Sequence, residues 1–170
     1  RDLIENHRVT VLSSNYELYG DISRRVMECL RRFSPQIEPY SIDEAFLQHN
    51  IKDMPLRPWA VSLQHSLRQS TGIGVTVGIG PTKILAKVAS HIAKNRTETE
   101  GVFCLASRDE IRAALNVLEV SELWGIGHRY RKKLKALHIE RVQQLLDLGE
   151  TWMEKHLGGV VGRRLWWELQ

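Results

Sequence analysis

The stretch IGVTVGIGPTKILAKVASHIAK, residues 73–94, constrains the fold more than any other part of the chain. Ile73, Val75, Val77 and Ile79 alternate with Gly74, Thr76, Gly78 and Gly80, so a strand over 73–80 has one apolar face and one nearly bare face. Glycine weakens a strand, and a row of glycines implies that a helix, another backbone or a ligand comes very close. Helix packing and ligand approach both meet that condition. Gly80-Pro81 then suits a helix start, with proline in the first turn where its missing N–H is harmless. The helix expected over 81–94 buries Ile84, Leu85, Val88, Ala89 and Ile92. It presents Lys83, Lys87, His91 and Lys94 on another face. Such a face is either plainly solvated or able to meet phosphate charge.

A second feature is YSIDEAFL, residues 40–47, where Asp43 and Glu44 interrupt a strand-like apolar run. In a regular strand Glu44 shares a face with Ile42 and Phe46, and Asp43 shares one with Ser41 and Ala45. A carboxylate at apolar parity needs a cationic partner, because an unpaired buried charge costs several kcal/mol. Either a Lys or Arg pairs with it in a purely structural ion pair, or a divalent metal does. For both acids to serve one metal, the backbone must bend or end its pairing there. Hard cations such as Mg²⁺ are held by few carboxylates plus substrate phosphates, and a pair of them can clamp the attacking and leaving oxygens of a phosphoryl transfer.

The rest of the chain divides by composition. All five prolines lie at or before Pro81, and four of the five tryptophans lie beyond Leu123. Up to about Leu105, strand-like runs (9–14, 40–47, 73–80, 101–105) alternate with helical patterns near 17–33, 59–70 and 81–94, which suggests helices packed on a sheet. Beyond Ser107 only short helices with glycine-containing turns are expected, so a boundary is placed near 106–118. No apolar run approaches the ~18 residues that cross a bilayer, so no membrane role is expected. Cys29 and Cys104 lack metal-ligand spacing and read as reduced structural thiols, which fits a cytosolic compartment. The chain opens with Arg1-Asp2 and stops at Gln170 within a helical pattern, so a piece of a longer protein is expected.

Within the second part, VSELWGIGHRYRKKLKALHIERVQQLLDL sets Gly125-Ile126-Gly127 before a basic amphipathic helix. Between His128 and Arg141 stand Arg129, Arg131, Lys132, Lys133, Lys135 and Arg141 against the single acid Glu140, an electrostatic footprint suited to a polyanion. The pattern matches a helix-hairpin-helix, whose turn and following N–H groups meet a nucleic-acid backbone without reading sequence. An ordinary turn before a solvated helix face is the alternative.

Taken together and in order, SSNYELYGDISRRVMECLRRFSPQIEPYSIDEAFL, VTVGIGPTKILAKVASHIAK and LWGIGHRYRKKLKALHI resemble the Y-family translesion DNA polymerases. The wording of SSNYELY and YSIDEAF is similar to that of the UmuC-type members. The resemblance runs from about Val9 to Glu168. It implies an α+β fold, with a polymerase palm (a sheet with helices packed on one face) over residues 1–106. A small all-α thumb with a helix-hairpin-helix would follow over 107–170. It implies that Asp43 and Glu44 are catalytic metal ligands for two Mg²⁺ ions, which bind together with the dNTP. Lys94 would contact the nucleotide's phosphates, and Gly125, Ile126, Gly127, Arg131, Lys132 and Lys133 would bind primer-template DNA. Ser41 lies beside the metal site in the family. By the same analogy, the partners are a UmuD′ dimer, a recombinase filament and a sliding clamp, in bacterial cytoplasm.

The family's first palm strand, with a further catalytic aspartate and an aromatic gate, has no counterpart in this sequence. The finger residues that touch the triphosphate, the little finger and the clamp-binding tail are likewise not matched. Many members have Asp where this chain has Gln48, a position that is not a metal ligand. The activity implied is error-prone joining of deoxynucleotides to a primer 3′-OH opposite damaged template. Two rivals remain: a non-catalytic helix-hairpin-helix DNA-binding module with a structural acidic pair, and a two-metal nuclease.

Overall fold

The computed structural model describes residues 6–7, 9–50 and 55–170. Helix α1 (Tyr16–Leu30) is capped by Asn15, whose side chain accepts from Leu18 N at 3.1 Å. Strands β1 (Ile37–Pro39) and β2 (Ala45–Leu47) follow, then α2 (Leu56–Thr71), β3 (Val77–Ile79), α3 (Lys83–Asn95) and β4 (Val102–Cys104). The remainder is helical: α4 (Arg108–Val117), α5 (His128–Ala136), α6 (Val142–Asp147), α7 (Glu150–His156) and α8 (Val160–Glu168). The architecture is mixed α/β, with helices but no paired strands beyond β4 apart from an isolated Glu119–Arg141 bridge among the described residues. None of these helices is long and apolar enough to cross a membrane.

Four expectations change. Residues 9–14 form no strand, and Val9, Val11 and Leu12 are exposed. The run 40–47 is not one strand but the turn and second arm of an antiparallel hairpin, with Ile37 opposite Leu47 and Pro39 opposite Ala45. Tyr40 N and Ser41 N both donate to Glu44 O, at 2.9 and 3.1 Å, which closes the loop. Ser41 Oγ accepts from Asp43 N at 3.3 Å, the kind of local side-chain bond that favours a turn over a ladder. The strand expected over 73–80 shrinks to Val77–Ile79, because Gln64 Nε2 donates to Val75 O at 2.8 Å where a partner strand would. Helix α3 starts two residues later than expected. Thr82 is its N-cap, accepting from Leu85 N at 3.2 Å, so Pro81 precedes the cap.

Rather than one sheet there are two of two strands each, β1–β2 antiparallel and β3–β4 parallel. Strand alternation directs Val77 toward α1 and α2, where it packs on Met27, Leu30, Leu63 and Leu67. Gly78 faces α3, and a Cβ there would run into the backbone of Ser90 and Ala86. At Gly80 it would lie 2.7 Å from Ala86 N. At Gly78 and Gly80 the close neighbour is a helix, α3 itself, whereas Gly74 has nothing within 4 Å.

From α3 a single hydrophobic cluster runs on through Leu105, Leu115, Leu134, Leu145, Met153 and Leu165 to Leu169. It spans both sides of the expected 106–118 boundary. Thr82 Oγ1 also donates to Glu168 O at 2.5 Å, which ties the start of α3 to the end of α8. Since backbone cannot yield as a side-chain tip can, Gly78→Ala is expected to lower stability by about 3 kcal/mol in urea denaturation. Gly74→Ala, with nothing within 4 Å of its added carbon, should cost less than about 1 kcal/mol.

Candidate active site

The hairpin turn carries Asp43 and Glu44 out to an open groove. The strand-parity expectation does not hold, since neither acid lies in a strand. Ile42, expected on the apolar face with Glu44, is 48% exposed. The bend meets the requirement that both acids face one site. Asp43 Oδ1 accepts from Ser41 Oγ at 2.6 Å and has no cationic partner among the described residues. Glu44 Oε1 accepts from Lys87 Nζ at 2.6 Å.

Helix α3 supplies the opposite charge. It buries Ile84, Leu85, Val88, Ala89 and Ile92, as the spacing predicts, which turns Lys83, Lys87 and Lys94 toward the groove. Lys83 pairs with Glu38 of β1 at 2.5 Å. Lys94, in the last turn, is exposed, lines the groove and has no partner among the described residues. Asp43, Glu44 and Lys94 therefore share one concavity: two oxygen donors and a free ammonium. His91 lies nearer Glu122, 3.7 Å away, with Asn95 Nδ2 3.1 Å from its other ring nitrogen.

Sequence reasoning missed an aromatic group beside this turn. Tyr40, Phe46 and Trp124 pack with centroids 5.3–5.9 Å apart, and Trp124 Nε1 donates to Tyr40 Oη at 3.1 Å. Lys87 Nζ lies 5.3 Å from the Tyr40 ring centroid and 5.7 Å from that of Trp124, within cation–π range. Tyr40 and Trp124 each border a motif already singled out. Only their separation of 84 positions hides the contact.

The Gly125–Gly127 turn does not line the groove. Gly125 has φ +97°, a conformation that favours glycine, whereas Gly127 is ordinary extended backbone at the start of α5. Ile126 is buried at 6% exposure and anchors the turn in the core, so its side chain is not available to DNA. No side chain caps α5, and its first N–H groups lack intrahelical partners. The segment before the turn, Val120–Glu122, is a single 3₁₀ turn rather than an α-helix. Arg131 donates to Ser121 O at 2.6 Å and Lys133 to His156 O at 2.9 Å, so both have structural work. Lys132 is exposed and unpaired among the described residues.

No group of three or more His, Cys, Asp or Glu could hold a metal among the described residues. The donors do fit a hard cation that takes its other ligands from phosphate and water: two adjacent carboxylates, one of them free of any cation, on an exposed turn. Cysteine chemistry has no place here. Cys29 is buried, and burial pushes the Cys104 thiol above its ordinary value.

The chain is 42% identical over 163 residues to protein UmuC of Salmonella typhimurium, covering 91% of this chain and 37% of that protein. It is 34% identical over 164 residues to DNA polymerase IV of Corynebacterium diphtheriae, covering 94% of this chain and 35% of that one. Among solved structures, a DinB-family error-prone DNA polymerase from Sulfolobus solfataricus superposes with a TM-score of 0.79 at 26% identity. That match covers 96% of this chain and 49% of that one. The chain thus spans well under half the length of the curated relatives it matches. Residues 1–91 match the impB/mucB/samB family, and the chain belongs to it.

Proposed function

We propose that this chain is the palm-and-thumb part of an error-prone, lesion-bypass DNA polymerase of the Y family, with the palm over 1–106 and the thumb over 107–170. The observation that carries the reading is the meeting of Asp43, Glu44 and Lys94 in one groove, in a chain whose relatives include a DNA polymerase IV. A likeness to the insertion ternary complex of Dbh polymerase adds support. In this reading Asp43 and Glu44 offer oxygen donors to Mg²⁺. When bound, the ions would activate the primer 3′-oxygen and neutralise charge on the triphosphate of the dNTP. Lys94 meets the triphosphate as a point charge. Ser41 orients Asp43 through its hydroxyl.

The turn at Gly125–Gly127 and the exposed Lys132 would track the backbone of primer-template DNA as part of a helix-hairpin-helix, with Arg131 and Lys133 adding to the local field. The bacterial cytoplasm, and a UmuD′ dimer, recombinase filament and sliding clamp as partners, belong to the same proposal through the likeness to UmuC. A non-catalytic DNA-binding module is the weaker reading, since nothing structural requires Asp43 to be an acid without a cation beside it.

In the full-length protein, Asp43→Ala is expected to abolish nucleotide incorporation in a primer-extension assay, with DNA binding kept within about threefold. Unchanged incorporation would leave only the binding module, and shortening of the primer would indicate a nuclease. Lys132→Ala is expected to weaken duplex binding about equally for all sequences and to reduce the salt slope by about one, read by anisotropy titrations at several salt concentrations. A sequence-selective loss would count against backbone contact.

A further inference from the structure

Lys87 touches two groups of residues at once. Its ammonium is 2.6 Å from Glu44 Oε1 and lies over the rings of Tyr40 and Trp124. At 24% side-chain exposure it is more sheltered than Lys83 at 40%, so its charge is less screened. We propose that Lys87 is a positioning residue that competes with a divalent cation for Glu44 and reports the exchange to Trp124. The inference rests on the reading of Asp43 and Glu44 as metal-holding residues.

Glu44 has one negative charge, and Lys87 neutralises it at hydrogen-bond distance. A divalent ion on the same carboxylate meets a like charge at close range, so the ammonium must withdraw. The two aromatic faces give it somewhere to remain, because each ring attracts a cation without supplying a competing carboxylate. Withdrawal alters the surroundings of the indole, which is fixed to Tyr40 by its N–H and stands immediately before Gly125. Lys87 thereby sets how tightly the carboxylate turn binds metal, without itself touching the reacting atoms.

The test uses the full-length protein with Mn²⁺ as probe. Binding is followed by the electron paramagnetic resonance of free Mn²⁺ and by tryptophan fluorescence, with Trp124→Phe identifying the Trp124 signal. Mn²⁺ is expected to shift Trp124 emission in the wild type. Lys87→Met should tighten Mn²⁺ binding roughly tenfold, within the usual range of coupling between sites, and remove the fluorescence response. Lys87→Arg, which restores a competing cation, should return affinity to within about twofold of wild type. Should the methionine variant not fold, Lys87→Gln has the same expectation. Unchanged or weaker Mn²⁺ binding in a folded Lys87→Met variant overturns the proposal while the metal reading stands. If the wild type shows no Mn²⁺ binding that Asp43→Ala removes, the metal reading itself falls, and this inference with it.

Discussion

The contact between β3 and α3 sets the position of nearly everything else. Gly78 and Gly80 let the helix lie directly on the strand, with the backbones of Ala86 and Ser90 where side chains would otherwise stand. That closeness fixes the rotation of α3 about its axis. Its apolar stripe then faces the cluster that continues into α4–α8, and its lysines face the groove. A larger residue at Gly78 would push the helix away, and with it the row of charges at Lys83, Lys87 and Lys94. Just before the strand Gln64 takes Val75 O, and within it the backbone of β4 supplies the partners.

Magnitudes help to decide what the groove's charges are for. Lys83–Glu38 and Lys87–Glu44 have side chains about a quarter to three-fifths exposed, and pairs of that kind contribute about 0–1 kcal/mol to stability. The hydrophobic cluster that joins α3 to Leu169 contributes far more, so the fold does not need these pairs. Their alignment along one face, beside an Asp without a cation and a Lys without an acid among the described residues, is the arrangement that the proposed metal and triphosphate contacts require.

Much of this was legible in the sequence where local chemistry decides structure. The helix over 83–95 follows from its apolar spacing, and the glycine row predicted a close neighbour. The hairpin was not legible, because an apolar run with two acids reads as a strand until Ser41 and Glu44 are seen to close a turn. Residues 9–14 have a strand's composition but pair with none of the described strands, and composition cannot report whether a partner is there. At the site, Asp43, Glu44 and Lys94 were singled out individually and the groove brings them together. Ile126, named with the DNA-backbone turn, has its side chain buried, where it anchors that turn in the core. The aromatic group lay beyond sequence reasoning, since nothing local pairs Tyr40 with Trp124.

The same helix also connects the two candidate sites. Its groove face meets the carboxylate turn, while its buried face belongs to the cluster that holds Leu123, Ile126 and Leu134 around the glycine turn. At its start, Thr82 caps α3 and bonds the last turn of α8, so the helix cannot shift without disturbing the far end of the chain. Packed interiors transmit small displacements because they have little free volume to absorb them. A change at Glu44 therefore has two physical routes to Gly125, through the Tyr40–Trp124 hydrogen bond and through the core. The first is polar and can exchange partners; the second is stiff and cannot. An arrangement of this kind lets the carboxylate turn respond to charge while the glycine turn keeps its place.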